Sequence, residues 1–202
     1  SSVASGDDAV ALGTKSKAAG SNSIAFGRRS QAKGINATAI GSKSIASGDD
    51  AVAFGTRSKA AGGNSIAIGQ EAQAFSFDTT ALGKKAIASG RNSMALGTEA
   101  RATGDRSIAM GTRSKASKKD STAIGTGSKA TGFHSTAIGF GAKARRDNEI
   151  SMGSRASSYR LRGLASGGSF VGSKYQNSGD KRIVTTDSSG TLGTTDFSVD
   201  KL

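Results

Sequence analysis

The sequence has no cysteine, no proline and no tryptophan, and it has a single histidine. Without cysteine there is no disulfide framework, no thiolate nucleophile and no thiolate zinc site. One histidine removes histidine dyads and most histidine metal chemistry. Large apolar side chains are scarce: apolar types make up 35% of the 202 residues, and many of those are alanine. Such a chain cannot fill the thick core usual at this length. No apolar run approaches the ~20 residues of a membrane-spanning helix. Ser1 does not open a secretory leader, so the sequence reads as a mature chain or a piece of a longer one. Acids are outnumbered as well. A net charge of +13 favours anionic partners without choosing among polysaccharide, nucleic acid and acidic surfaces.

What the sequence has instead is glycine and a repeat. From Asp8, DAVALGTKSKAAGS is followed fourteen residues later by NSIAFGRRSQAKGI from Asn22, and the frame runs through eleven units without insertion or deletion. Numbering each unit from one to fourteen, position six is always glycine, from Gly13 to Gly153. Position four is alanine except at Ser151, and position five is always large and apolar. Position three is Val, Ile, Met or Thr; positions nine and eleven are small; position thirteen is mostly glycine; position one is mostly Asn or Asp. A weaker three-unit period overlies this one, visible in the segments ASGDDAVA from Ala4 and from Ala46.

Positions three to five read as a short strand rich in β-branched residues, and positions eight to twelve as a second. Gly at six and thirteen and Asn or Asp at one mark two reversals. Each unit is then one coil of a solenoid, and successive coils stack as parallel strands ~4.8 Å apart. Alternation along a strand separates position four from three and five. We expect the large residues at three and five to turn inward against the small residues at nine and eleven. The alanines of position four would then turn outward: Ala11, Ala25, Ala39, Ala53, Ala67, Ala81, Ala95, Ala109, Ala123 and Ala137. A solvated column would vary and carry charge, so this one is expected to pack on another copy of the chain.

The segments NSIAFG, NSIAIG, NSMALG, DSTAIG and HSTAIG resemble the repeat of YadA-like head domains, which belong to the trimeric autotransporter adhesins of Gram-negative bacteria. The resemblance covers residues 2 to about 158. It implies an all-β, left-handed parallel β-roll (solenoid) in a homotrimer, displayed on a stalk at the cell surface, with a membrane anchor outside this sequence. It implies attachment to collagen, fibronectin, laminin or host cells. Residues 159–167, Tyr-Arg-Leu-Arg-Gly-Leu-Ala-Ser-Gly, are similar to the neck that follows such heads, with Arg162 and Gly163 departing from it. The chain is thus divided into a head, 1–158, and a neck-like segment and short β adaptor, 159–202. In the adaptor, 182–186 reads as a strand, 187–190 as a turn and 191–194 as the return.

Basic residues at positions eight and ten are expected to share an outward face: Lys15 with Lys17, Arg57 with Lys59, Arg113 with Lys115, plus Lys129 and Lys143. Stacking makes them a stripe, which is either an anion-binding rail for matrix protein or anionic glycan, or a solvated face that resists edge aggregation. Glu71 and Glu99 would interrupt it. Phe75, Phe77, Phe133 and Phe140 lie near reversals, outside the expected core, and would anchor a partner or pack on an adjacent subunit. Ser76 replaces the usual glycine, which predicts a local turn variant. His134 reads as a turn residue, and Asp7-Asp8 and Asp49-Asp50 as turn carboxylates, not calcium ligands. The acids are spread, with Glu71, Glu99 and Glu149 in exposed slots and no pairing for glycoside chemistry. No phosphate loop occurs. Thr38, Thr80, Thr122 and Thr136 fall at position three, taken as interior, which leaves no outward threonine array for ice binding. The sequence therefore reads as a non-enzymatic adhesin head with no metal, no cofactor and no nucleic-acid partner. The alternative reading is a structural fibre or spacer module without a specific ligand.

Overall fold

The computed structural model describes residues 1–154, Ser157, 182–186 and 192–196. It divides into two compact units, Ser1–Ala156 and Ser157–Leu202. The first is a solenoid in which each coil contributes one strand to each of two parallel sheets of eleven strands. One sheet is made of three-residue strands at positions three to five, from Val10–Leu12 to Ile150–Met152. The other is made of two-residue strands at positions ten and eleven, with Val3–Ala4 first and Lys143–Ala144 last.

The register is fourteen residues throughout: Ile66 pairs with Thr80, Ala67 with Ala81 and Ile68 with Leu82. Equivalent residues therefore stand directly above one another. The turns stack as regularly as the strands, since Gly27 N–H donates to Leu12 O at 2.8 Å and Arg29 N–H to Thr14 O at 2.8 Å. Nearest-neighbour repetition of this kind satisfies the backbone without a thick core.

The second strand is shorter than expected. Position eight belongs to a turn: Lys15, Arg57 and Arg113 have φ of 59°, 59° and 56°. That turn closes with Ser16 N–H on Gly13 O at 3.2 Å, and a left-handed third residue is what a type II turn requires. The other reversal has its left-handed residue at position one, as at Asn22 (φ 56°) and Asp50 (φ 55°). Asp78 keeps φ 55° beside Ser76, so the expected turn variant does not occur; Thr79 Oγ1 donates to Ser76 O at 2.7 Å across it.

The inside of the coil is the reverse of the expectation. The alanines of position four are completely buried within a single chain, from Ala25 to Ala137, with only terminal Ala11 partly exposed. They meet the small residues of positions two, nine and eleven, such as Ser23, Ser30 and Ala32, which are equally buried. The residues of positions three and five point outward. The two sheets lie so close that only methyl- and hydroxymethyl-sized groups fit between them, and a leucine has no room. Serine and alanine interchange freely here because their volumes are nearly equal. Position-nine serines also close their own turns: Ser16, Ser30, Ser44 and Ser58 each donate Oγ–H to the position-six carbonyl three residues back at 2.9 Å.

In the second unit, Arg182–Thr186 pairs antiparallel with Leu192–Asp196, Thr186 opposite Leu192 and Arg182 opposite Asp196. The first strand is the one read from the sequence; the return begins and ends later than expected. The neck-like segment 159–167 and the turn 187–190 lie outside the described residues.

Candidate interaction surfaces

Three long surfaces follow from the register. The first is apolar. Positions three and five of eleven stacked strands present two parallel columns to solvent, position five apolar throughout and position three apolar but for four threonines, with Val10 and Leu12 at 55% and 59% exposed and Phe26 and Phe54 both at 50%. Ile66, Leu82, Met94, Ile108, Met110, Ile124 and Ile138 continue the face. A contiguous apolar face of this extent marks an association surface. The alanine column cannot supply one, because its side chains are already covered by their own coil. The threonines of position three, Thr38, Thr80, Thr122 and Thr136, also point outward, contrary to the expectation. They alternate with Val52, Ile66, Met94 and Ile108 and form no continuous array.

The second surface is the outer face of the two-residue strands, where position ten stands. The basic stripe read from the sequence separates into two columns. Lys17, Lys59, Lys115, Lys129 and Lys143 are on this sheet; Lys15, Arg57 and Arg113 are on the turn beside it. Glu71 and Glu99 belong to the turn column, so they do not interrupt the sheet column. Arg57 Nη1 meets Glu71 Oε1 at 3.3 Å, one coil apart. The sequence reading omitted Arg101, which pairs in register with Lys115; its place at position ten was the available signal.

The third surface is the turn at position one, where side chains bridge successive coils. Asn36 Nδ2 donates to Asp50 Oδ1 at 2.9 Å, and Asn64 Nδ2 to Asp78 Oδ1 at 3.1 Å. Arg106 donates from Nε and Nη2 to the two oxygens of Asp120, both at 2.7 Å. Those bonds hold the Asp120 carboxyl below its ordinary pKa and raise that of Arg106. His134, one coil further on, brings Nε2 to 3.4 Å from Asp120 Oδ2. Neighbouring Asp49, Asp105 and Asp147 accept from the backbone N–H of Ile35, Arg91 and Phe133. These carboxylates are used in holding coil to coil. Among the described residues no group of His, Asp and Glu could hold a metal.

The aromatic residues are spread over different edges. Lys59 Nζ lies 5.3 Å from the Phe75 ring centre and Lys118 Nζ 5.2 Å from that of Phe133, so both rings are capped from within the chain. Phe77 lies close over Gly63 of the preceding coil. Phe140 is the most exposed, at 76%. Phe75, Ser76 and Phe77 border a shallow open hollow with Asp49, Gly62 and Arg91.

A parallel solenoid with a 14-residue coil, an interior of small residues and continuous side-chain columns outside defines a repeat protein that presents surfaces and not a pocket. The chain belongs to the family of the YadA head domain repeat: the family model matches residues 4–30, 32–58, 46–72, 60–86, 76–100, 102–128 and 130–156. Among solved structures, the chain is similar to the collagen-binding domain of the Yersinia adhesin YadA, with 30% identity over 82% of this chain and 77% of that one and a TM-score of 0.48. Nothing matches among curated proteins.

Proposed function

We propose that the chain is the head of a bacterial surface adhesin, that three copies associate through the apolar faces of their three-residue-strand sheets, and that the assembled rod attaches the cell to host extracellular matrix. The observation that carries this is the apolar face, continuous along position five, on a chain whose repeat places it in the YadA head family. Burying apolar surface contributes about 25 cal/mol per Å², and a column of eleven Leu, Phe, Ile and Met residues at position five, beside seven Val, Ile and Met residues at position three, offers far more than an alanine column would. Three is the subunit number that the family resemblance implies; the requirement for sister copies comes from the face itself. Association through that sheet leaves position ten and the turn columns free for matrix. Display outside the outer membrane of a Gram-negative bacterium belongs to the same reading.

The test is a solid-phase panel of collagens, fibronectin and laminin with the purified head. Saturable binding to at least one is expected. No saturable binding to any would favour a spacer module instead.

A further inference from the structure

In the first half of the solenoid position ten follows the three-coil period: Lys17, Gln31, Ile45, then Lys59, Gln73, Ile87. Cations there stand three coils apart. Continued, the period would put Arg101 beside a Gln and an Ile. It breaks instead, and Arg101, Lys115, Lys129 and Lys143 follow in four successive coils, each paired in register with the next. Strand spacing sets these side chains ~4.8 Å apart at their bases. All four are exposed, and among the described residues none is in an ion pair.

Most carboxylates of this half are engaged elsewhere; exposed Glu99, on the turn two residues before Arg101, is the exception. Asp120 is held by Arg106, Asp105 and Asp147 accept from backbone N–H groups, and Glu149 accepts from the N–H of Arg145 and Arg146. Like charges stacked this closely repel, and among the described residues no carboxylate pairs with Lys115, Lys129 or Lys143. On the same face position twelve carries small Thr103, Ser117 and Thr131 beside the first three cations and a further cation, exposed Arg145, beside Lys143.

From this we infer that Arg101, Lys115, Lys129 and Lys143 form a linear binding track for an extended sulfated polysaccharide. The inference rests on the reading of the chain as an attachment head and names a ligand class for it. The match is one of shape and interval. The cations lie in a straight single file, and the rise of a coil is close to the length of one sugar in an extended glycan. A glycan lying along the file meets a cation at each step. A DNA duplex carries its phosphates on a curved path, and the file has no interleaved aromatic residues on which single-stranded bases would stack. Polyanion binding by such a file weakens with salt as counterions are exchanged.

The test compares wild type with two variants of equal charge change. One carries Arg101→Gln, Lys115→Gln, Lys129→Gln and Lys143→Gln; the other carries Arg28→Gln, Arg29→Gln, Lys84→Gln and Lys85→Gln on exposed turns. Binding to size-defined heparin oligosaccharides is titrated at several salt concentrations, with circular dichroism and mass in solution as checks on folding. The track variant should lose at least tenfold in affinity and show a shallower salt dependence, while the turn variant changes less than twofold. Equal losses in both would reduce the effect to net charge and overturn the inference, as would no loss in the track variant. Single-stranded or duplex DNA bound as tightly as heparin would overturn the assignment to glycan. Heparin binding that survives a negative matrix-protein panel would leave the track standing and sink the matrix reading alone. If the four-residue variant fails to fold, Lys115→Gln with Lys129→Gln supplies the same comparison at the centre of the file.

Discussion

Gly34 and Gly127 are both glycines of the repeat, and they answer to different demands. A Cβ on Gly34 would stand 2.0 Å from the carbonyl oxygen of Gly48 in the next coil. Ser76 and Lys118 stand at the equivalent place in other coils with the turn kept, so the backbone can yield to a Cβ by a local shift. Gly34→Ala should destabilise the solenoid by about 1 kcal/mol, read as a lowered midpoint in denaturant. Gly127 has φ 69° and open space around its Cα hydrogens. Equivalent positions carry Lys43 and Lys85 at φ 60° and 58°. Gly127→Lys should therefore leave the same midpoint nearly unchanged. Asp120 supplies a pH signature. Its folded pKa is depressed by Arg106, so its contribution is present above the ordinary carboxylate pKa and is lost as pH falls through the lower folded value. The pair is exposed and the effect small. Asp120→Asn should lower the melting temperature slightly at neutral pH, and the difference from wild type should close in strong acid.

At the scale of the strand, the sequence made the period, the parallel stacking and the two reversals legible, because glycine and Asn/Asp recur at fixed places and nothing is inserted between them. It misdirected on which face is inside. The habit that large apolar residues are buried put Leu12 and Phe26 in the interior and Ala25 outside, and the structure places them the other way round. The signal was present: positions two, four, nine and eleven are small in every unit but the last, which has Glu149 at position two, and in two strands facing each other those four share one interior. Position eight was misplaced for a related reason. Lys15 and Arg57 do not look like left-handed turn residues, yet stacked hydrogen bonds such as Arg57 N–H to Ser42 O at 2.9 Å hold them there. The separation of the basic stripe into two columns, and the place of Arg101 in one of them, followed only from that geometry. Two substitutions separate the faces. Ala67→Val, on the inside, should cost about 1–3 kcal/mol through overpacking, read in denaturant. Ile68→Glu with Leu82→Glu, on the outside, should weaken self-association in sedimentation velocity and lower the melting midpoint together with it, since folding and assembly are coupled.

For the assembled molecule, one chain of this solenoid is incomplete. Its interior holds only methyl and hydroxyl groups, and most of its large apolar side chains are on one outer face. Folding a coil hides little of that surface; covering it requires more chains. Stability should accordingly depend on protein concentration, with the melting midpoint rising as concentration rises. The direct measurement is the mass of the head in solution at micromolar concentration, by sedimentation equilibrium. The account predicts three times the protomer mass, with no folded monomer present. A single-protomer mass with the parallel β signature intact would contradict it, since the apolar face of positions three and five would then be stable in water.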